Sequence, residues 1–377
     1  MFKNAYKGKK VLITGHTGFK GSWLSIWLRE LGAEVVGYSL EPPSEPNNFN
    51  ACKLKDKITH IDGDIRDLDN LIGIFAKYKP AFVFHLAAQA LVRMSYMEPK
   101  LTFDTNIGGT VNVLEAVRRT PSVKALINVT SDKCYENREW EWGYRENDPM
   151  GGHDPYSASK GGAELVFSAY QRSFFRRDSS GNRIVGAASV RAGNVLGGGD
   201  WGADRLIPDC IRALSAGKKI EIRNPKAIRP WQHVLEPLSG YLWLGIMLNE
   251  SPERFSGAWN FGSSGHNHLT VGQMAERILE LWGSGAWMDI SSTGGASVHE
   301  ARTLKLCCDK ALAELNWHST LDLEECLSYL TAWYKLFYQN EQKKDMYDTS
   351  SGQIVRYAER AREQNLAWSF ESYVGCS

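Results

Sequence analysis

The 377-residue chain contains no apolar run approaching the roughly 20 residues that cross a bilayer, so no transmembrane helix is expected. Its first residues, Met1-Phe2-Lys3-Asn4-Ala5-Tyr6-Lys7, lack the apolar core of a signal peptide. Neither sign of charge is in excess. Lys and Arg number 44 against 43 Asp and Glu, a net charge of +1, which leaves no bulk attraction to nucleic acid or an anionic membrane. The seven cysteines show no C-x-x-C spacing, and the adjacent Cys307 and Cys308 are a poor pair for bridging. They read as reduced thiols in a cytoplasmic protein. There is no short-period repeat and no low-complexity segment, and no metal is expected. What remains is a long chain with enough residues for a large core and two lobes.

Glycine is abundant, and three glycines are placed with a purpose. Lys10–Thr14 is a β-branched run, followed by Gly15, His16, Thr17, Gly18, Phe19, Lys20 and Gly21, then by an amphipathic pattern of Trp23, Leu24, Ile26, Trp27, Leu28 and Leu31. This is a strand, a tight turn and a helix start. Glycine permits positive φ and close backbone approach, and unpaired N–H groups at a helix start near Phe19 bind phosphate. With a second strand at Glu34–Ser39, the context is that of a dinucleotide site.

Further apolar runs at Ile58–Ile61, Ala81–Leu86, Ala125–Thr130 and Ile184–Arg191 alternate with helical patterns at Asp67–Tyr78, Leu101–Arg119 and Tyr156–Phe175. Near-continuous apolar strands suit a parallel sheet covered on both faces. The expectation is an α/β chain, a Rossmann-like doubly wound parallel sheet with a smaller, interleaved α+β substrate-binding lobe. The dinucleotide-binding part spans residues 1–192 and the substrate lobe 193–377, with about 232–260 returning to the first. The polar tail after Gln339 reads as peripheral.

Past the second strand, Ser39 takes the position that often holds the adenosine ribose, Glu41 is the nearest acid, and no Arg or Lys stands ready for a 2′-phosphate. NAD is therefore favoured over NADP. Asp64 and Ile65 follow the third strand, where an acid accepts from the adenine amino group; capping of the next helix is the competing role. Leu86, Ala87 and Ala88 are small enough on average to let the nicotinamide end approach.

Tyr156 and Lys160, four apart, share a helix face. An ammonium near a phenol lowers the phenol's pKa and makes it a general base or acid. Ser131, Asp132 and Lys133 stand in a row at the end of the fifth strand, where α/β sheets carry their chemistry.

These residues resemble the extended short-chain dehydrogenase/reductases that modify nucleotide sugars. The strings Thr14–Trp23, Thr130–Trp140, Met150–Gly152, Gly197–Trp201 and Arg229–Val234 are similar to the dehydratase branch that acts on CDP-glucose, over about residues 8–335. The resemblance implies an internal redox lyase with NAD as cofactor. Tyr156, supported by Lys160 and Ser131, would deprotonate the 4-hydroxyl. Asp132 and Lys133 would serve the elimination across carbons 5 and 6, in either assignment of acid and base. Asn106 joins the cofactor residues. Gln89, Arg93, Asn194, Arg229 and Arg302 would face the substrate, and Tyr135–Gly152 would cover the sugar. His16 inside the turn would crowd the pyrophosphate and loosen NAD, or else face solvent. A homodimer or dimer of dimers would form on the Leu101–Arg119 and Tyr156 helices. A nucleotide-sugar 4-epimerase is the alternative, since it shares the turn and the Tyr/Lys pair but does not need Asp132 and Lys133. A non-catalytic cofactor sensor is a third reading, and one that typically lacks the tyrosine.

Overall fold

The computed structural model describes residues 1–176, 185–263, 268–292, 304–339 and 345–371. Six strands alternate with helices through the first half. They are β1 (Lys10–Thr14), β2 (Glu34–Ser39), β3 (Thr59–Asp62), β4 (Phe82–His85), β5 (Ala125–Val129) and β6 (Gly186–Ala192). Between them lie α1 (Phe19–Glu30), α2 (Leu68–Tyr78), α3 (Gly109–Arg119) and α4 (Pro155–Tyr170). Shorter strands follow: β7 (Asn194–Leu196), β8 (Ile220–Ile222), β9 (Ile228–His233), β10 (Gly257–Phe261), β11 (His268–Thr270) and β12 (Trp287–Asp289).

The main sheet is parallel throughout, in the order β10-β6-β5-β4-β1-β2-β3. Alternation along buried strands supplies two cores. Val11, Ile13, Phe82 and Phe84 face Trp23 and Trp27 of α1. Leu12, Val83 and Leu126 face Leu71, Phe75, Val113, Val117 and Phe167 on the other side. The strand order reverses at β1, between β4 and β2, and a crevice opens there at the carboxyl ends of the strands.

Helix starts follow their capping residues. Asp67 accepts from the Asn70 N–H at 3.0 Å and opens α2. Asp154 accepts from the Ser157 N–H at 3.0 Å ahead of Pro155 and opens α4. The stretch expected as one helix over Leu101–Arg119 is interrupted by a wide π-type turn at Asp104–Gly108, which turns Asn106 inward.

The second half is interleaved. A helix at Leu235–Glu250 (α5), buried on nearly every side, packs on β5 and β6, and β10 extends the main sheet beside β6. The strands β11, β9 and β7 form a separate small sheet. The tail is not peripheral. Tyr347–Glu363 (α6) covers α1 and buries Ile354, Tyr357, Ala358 and Ala361, and Trp368 stacks on Phe2 at 5.2 Å. Its apolar positions recur at helical spacing but are diluted by charge, which hid them in the composition.

Candidate active site

The turn after β1 is built around two glycines. Gly15 has φ +76°, and a methyl there would lie 2.6 Å from the Ala87 nitrogen. A methyl on Gly21 would collide with the Gly15 carbonyl oxygen. Gly18 caps α1 without any side-chain hydrogen bond, so the first-turn N–H groups stay open. This cradle has room for backbone-to-phosphate contact and for little else, and it fits a dinucleotide pyrophosphate. Leu86, Ala87 and Ala88 follow β4 directly across from it, with the Ala87 N–H donating to Thr14 Oγ1 at 3.3 Å.

Several predicted cofactor residues are otherwise engaged. The His16 ring has no exposed surface. It packs over Gly37 and against Phe49, with Nε2 2.7 Å from His60 Nδ1. It neither faces solvent nor lies in an open cleft, because the small Gly37 leaves a pocket for it beneath the turn. Burial lowers its pKa to about 3. Ser39 Oγ lies 2.8 Å from Thr17 Oγ1 and so braces the turn from β2. The Asp64 carboxylate accepts from Arg66 Nε at 2.9 Å and from the Arg66 N–H at 2.9 Å, while the helix cap falls to Asp67. Ile65 is buried beneath Gly109. Phe19 packs against Gly197. The Asn106 amide is fully used within the protein. Its Oδ1 accepts from the Gln89 N–H at 2.8 Å, and its Nδ2 donates to Gln89 O at 3.0 Å and Ser159 Oγ at 2.8 Å. It clamps the loop after β4 onto α4 and acts on the cofactor side only through that loop.

The chemical groups converge at Ser131. Its hydroxyl donates to Asp132 Oδ1 at 2.9 Å and is hydrogen-bonded to the Tyr156 phenol. Tyr156 and Lys160 are both buried on α4, with Nζ 6.0 Å from the ring centroid. Burial raises the phenol to about 12, against the hydrogen bond between it and Ser131. The expected lowering by Lys160 is not found: desolvation is the largest influence, and the cation that opposes it is Arg205. Burial also lowers Lys160 to about 8. Asp132 is buried and its pKa is raised by desolvation, with Lys133 the largest opposing influence. Behind these groups Glu164, one turn beyond Lys160, accepts from Ser189 Oγ at 2.8 Å and Arg191 Nη2 at 2.8 Å, and from Thr130 Oγ1. That buried pair ties α4 to both strands flanking the site.

On the substrate side, Asn194 opens β7 and pairs with Trp231. Arg229 lies on β9 and donates to its own Ile228 carbonyl at 3.0 Å. Gln89 is not free to read a ligand. Its side chain accepts from the Leu91 N–H at 2.6 Å and donates to Thr102 Oγ1 at 2.9 Å. Arg93 pairs with Asp204 at 2.8 Å. Arg302 lies outside the described residues. The segment expected as a lid is a pinned wall. The Tyr144 N–H donates to Lys305 O at 2.8 Å and the Cys307 N–H to Tyr144 O at 2.9 Å. Tyr135, Tyr144 and Trp140 stack in succession.

Two cations were missed by the reading of the sequence. Lys20, in the glycine turn, points into the cluster; burial lowers it to about 8, and Asp132 is its principal electrostatic partner. Arg205 is held by Asp200 at 3.0 Å and acts on Tyr156. Their signal was the string Gly197–Trp201, which places a glycine loop against the first turn of α1. Among the described residues no three His, Cys, Asp or Glu side chains group as a metal site, and no helix is long and apolar enough to cross a membrane.

A model of the family described as GDP-mannose 4,6 dehydratase matches residues 12–330. The chain is 50% identical over 356 residues to CDP-glucose 4,6-dehydratase of Salmonella typhimurium, covering 94% of this chain and 98% of that one. Among solved structures it is similar to an epimerase of Methanothermobacter thermautotrophicus (TM-score 0.75, 23% identity, 89% of this chain and 95% of that one). It is also similar to dTDP-glucose 4,6-dehydratase of Bacillus anthracis in complex with NAD (TM-score 0.70, 21% identity, 90% and 100%). With its strand order, glycine turn and Tyr156/Lys160 helix, the chain belongs to the GDP-mannose 4,6-dehydratase family, within the extended short-chain dehydrogenase/reductases.

Proposed function

We propose that this protein is an NAD-dependent lyase that converts CDP-glucose to CDP-4-dehydro-6-deoxyglucose and water. The observation that carries this is the meeting of a phenol and a raised carboxyl at one serine. The Ser131 hydroxyl bonds to both Tyr156 and Asp132. An epimerase has work for the phenol, but none for a second acid beside it. The 50% identity with the Salmonella enzyme supports the choice of substrate.

The glycine cradle between β1 and β4 would hold the pyrophosphate of NAD, with Leu86, Ala87 and Ala88 at the nicotinamide end. The chemistry that bound NAD supplies is a reversible two-electron store. Tyr156 takes the proton of the sugar 4-hydroxyl as carbon 4 is oxidised, its own phenolic proton passing through Ser131 to Asp132, and Ser131 holds that oxygen. The new ketone acidifies carbon 5. Lys133 takes the proton from carbon 5, the bond between carbon 6 and its oxygen breaks, and Asp132 delivers a proton to the departing oxygen. Burial keeps that proton on Asp132 to higher pH than an ordinary aspartate would. Lys133 then returns a proton to carbon 5 as carbon 6 is reduced. No oxidant is consumed, and one water leaves. Asn194, Arg205 and Arg229 would give the diphosphate its positive and polar partners. The exposed apolar side chains Leu165 on α4 and Phe103 before Asn106 support a homodimer seam on these helices.

Incubation with CDP-glucose and NAD, followed by product mass, tests the reading. Loss of one water is expected. A product of unchanged mass and inverted carbon 4 would make the protein an epimerase instead.

A further inference from the structure

A cavity of about 450 Å³ lies against Asp132, walled by Trp142, Arg145, Gly193, Gln232 and Ser263. Its size is that of a site for part of a small ligand. Gln232 sits on β9 between Trp231 and His233 and is only 2% exposed. Its Nε2 donates to the Phe261 carbonyl at 3.1 Å, which fixes which end of the amide is which. The other end, Oε1, is buried without a partner. Two residues beyond Phe261, the Ser263 hydroxyl is also buried without a partner. Buried polar atoms are rarely left so, because an orphaned acceptor forfeits its hydration for nothing. The wall beside them is kept open: a methyl on Gly193 would come within 3.2 Å of Asp132 Oδ2.

We propose that Gln232, assisted by Ser263, is the specificity-determining residue for the 6-hydroxyl of the substrate, and that this pocket receives the water eliminated from carbon 6. The inference rests on the dehydratase reading above. The leaving oxygen has one proton of its own and must gain a second from Asp132 through a lone pair. Its own proton therefore has to point elsewhere. An amide oxygen accepts and cannot donate, so Gln232 Oε1 fixes that proton and turns a lone pair toward Asp132. When the bond to carbon 6 breaks and the double bond between carbons 5 and 6 forms, the product water keeps two polar partners, Gln232 Oε1 and Ser263 Oγ.

The test pairs a variant with a substrate analogue. CDP-6-deoxyglucose can be oxidised at carbon 4 but has no hydroxyl to lose. In the holoenzyme, Gln232→Leu should lower kcat for dehydration of CDP-glucose by about 100-fold. It should leave formation of reduced nicotinamide from CDP-6-deoxyglucose within about twofold of wild type. Ser263→Ala, which breaks no bond within the protein, should show a smaller loss with the same selectivity, and it serves where Gln232→Leu does not fold. Equal losses on both substrates would make these residues structural and overturn the inference, as would no loss on either. A wild-type protein that forms no dehydrated product from CDP-glucose removes the functional reading itself, and the inference with it. A wild type that does form it, with variants that fail to discriminate, removes only the inference.

Discussion

In the proposed mechanism Asp132 is the acid, and its environment sets the sign of its pH dependence. Desolvation raises its pKa above that of a free aspartate, so it delivers a proton at low pH and loses that capacity as pH rises through the raised value. Asp132→Asn should slow elimination by about 10²- to 10⁴-fold. Carbon 4 oxidation should stay measurable, so reduced nicotinamide accumulates in the absorbance trace, and the alkaline fall in elimination disappears. His16 carries a different prediction. Its ring fills the space over Gly37 beside His60 and Phe49, so His16→Gly leaves a cavity. A loss of about 3 kcal/mol is expected, read as a lower melting temperature. The neutral ring, with its pKa lowered to about 3, contributes stability that is present above the unfolded value of about 6.5 and is lost as pH falls toward 3. Position 16 in the turn suggested contact with phosphate. The direction of its side chain depended on a glycine 21 residues away, which no local pattern reveals.

At the scale of elements, the β1–turn–α1 unit was legible because its sequence signals are local. Apolar alternation makes the strand, and glycines at 15, 18 and 21 make the turn. The boundaries of β1 and β2 matched the predicted ones, and those of β3 to β6 differed by one or two residues at their ends. Gly21→Ala tests the unit as a whole. A methyl there meets the Gly15 carbonyl, so α1 must move away from the turn. Affinity for NAD should fall at least about tenfold, measured by titration, while the far-ultraviolet circular dichroism is retained; unchanged affinity would separate the turn from the cofactor. The break in the helix before α3 was not legible. A π-type turn at Asp104–Gly108 exists because Asn106 finds three partners, on Gln89 and Ser159, and those partners are remote in sequence.

Across the whole molecule, helix α6 is latched to α5 and the Thr320–Leu321 segment by one buried carboxyl. Glu236 on α5 accepts from the Thr320 N–H, the Leu321 N–H and the Tyr357 hydroxyl, each at 2.8 Å. Burial raises its pKa to about 7. The folded state therefore holds a proton that the unfolded chain releases at about 4.3. The stability linked to that proton is present below about 4.3 and is lost as pH rises through 7, a change on the order of 3 kcal/mol. The melting temperature should fall over that range, and Glu236→Gln should flatten the fall; an identical pH profile in the variant would place the titration elsewhere. What the sequence by itself determined is the doubly wound sheet, the dinucleotide turn and the shared helix of Tyr156 and Lys160, because strand burial, positive φ and i, i+4 spacing act over a few residues. Only the tertiary structure decided which polar groups were left free to act. Gln89, Asn106 and His16 were consumed by internal contacts, Lys20 and Arg205 were carried to Asp132 and Tyr156, and the tail was folded onto α1. Hydrogen bonds and desolvation depend on neighbours brought together by the fold, and those neighbours lie tens to hundreds of residues apart along the chain.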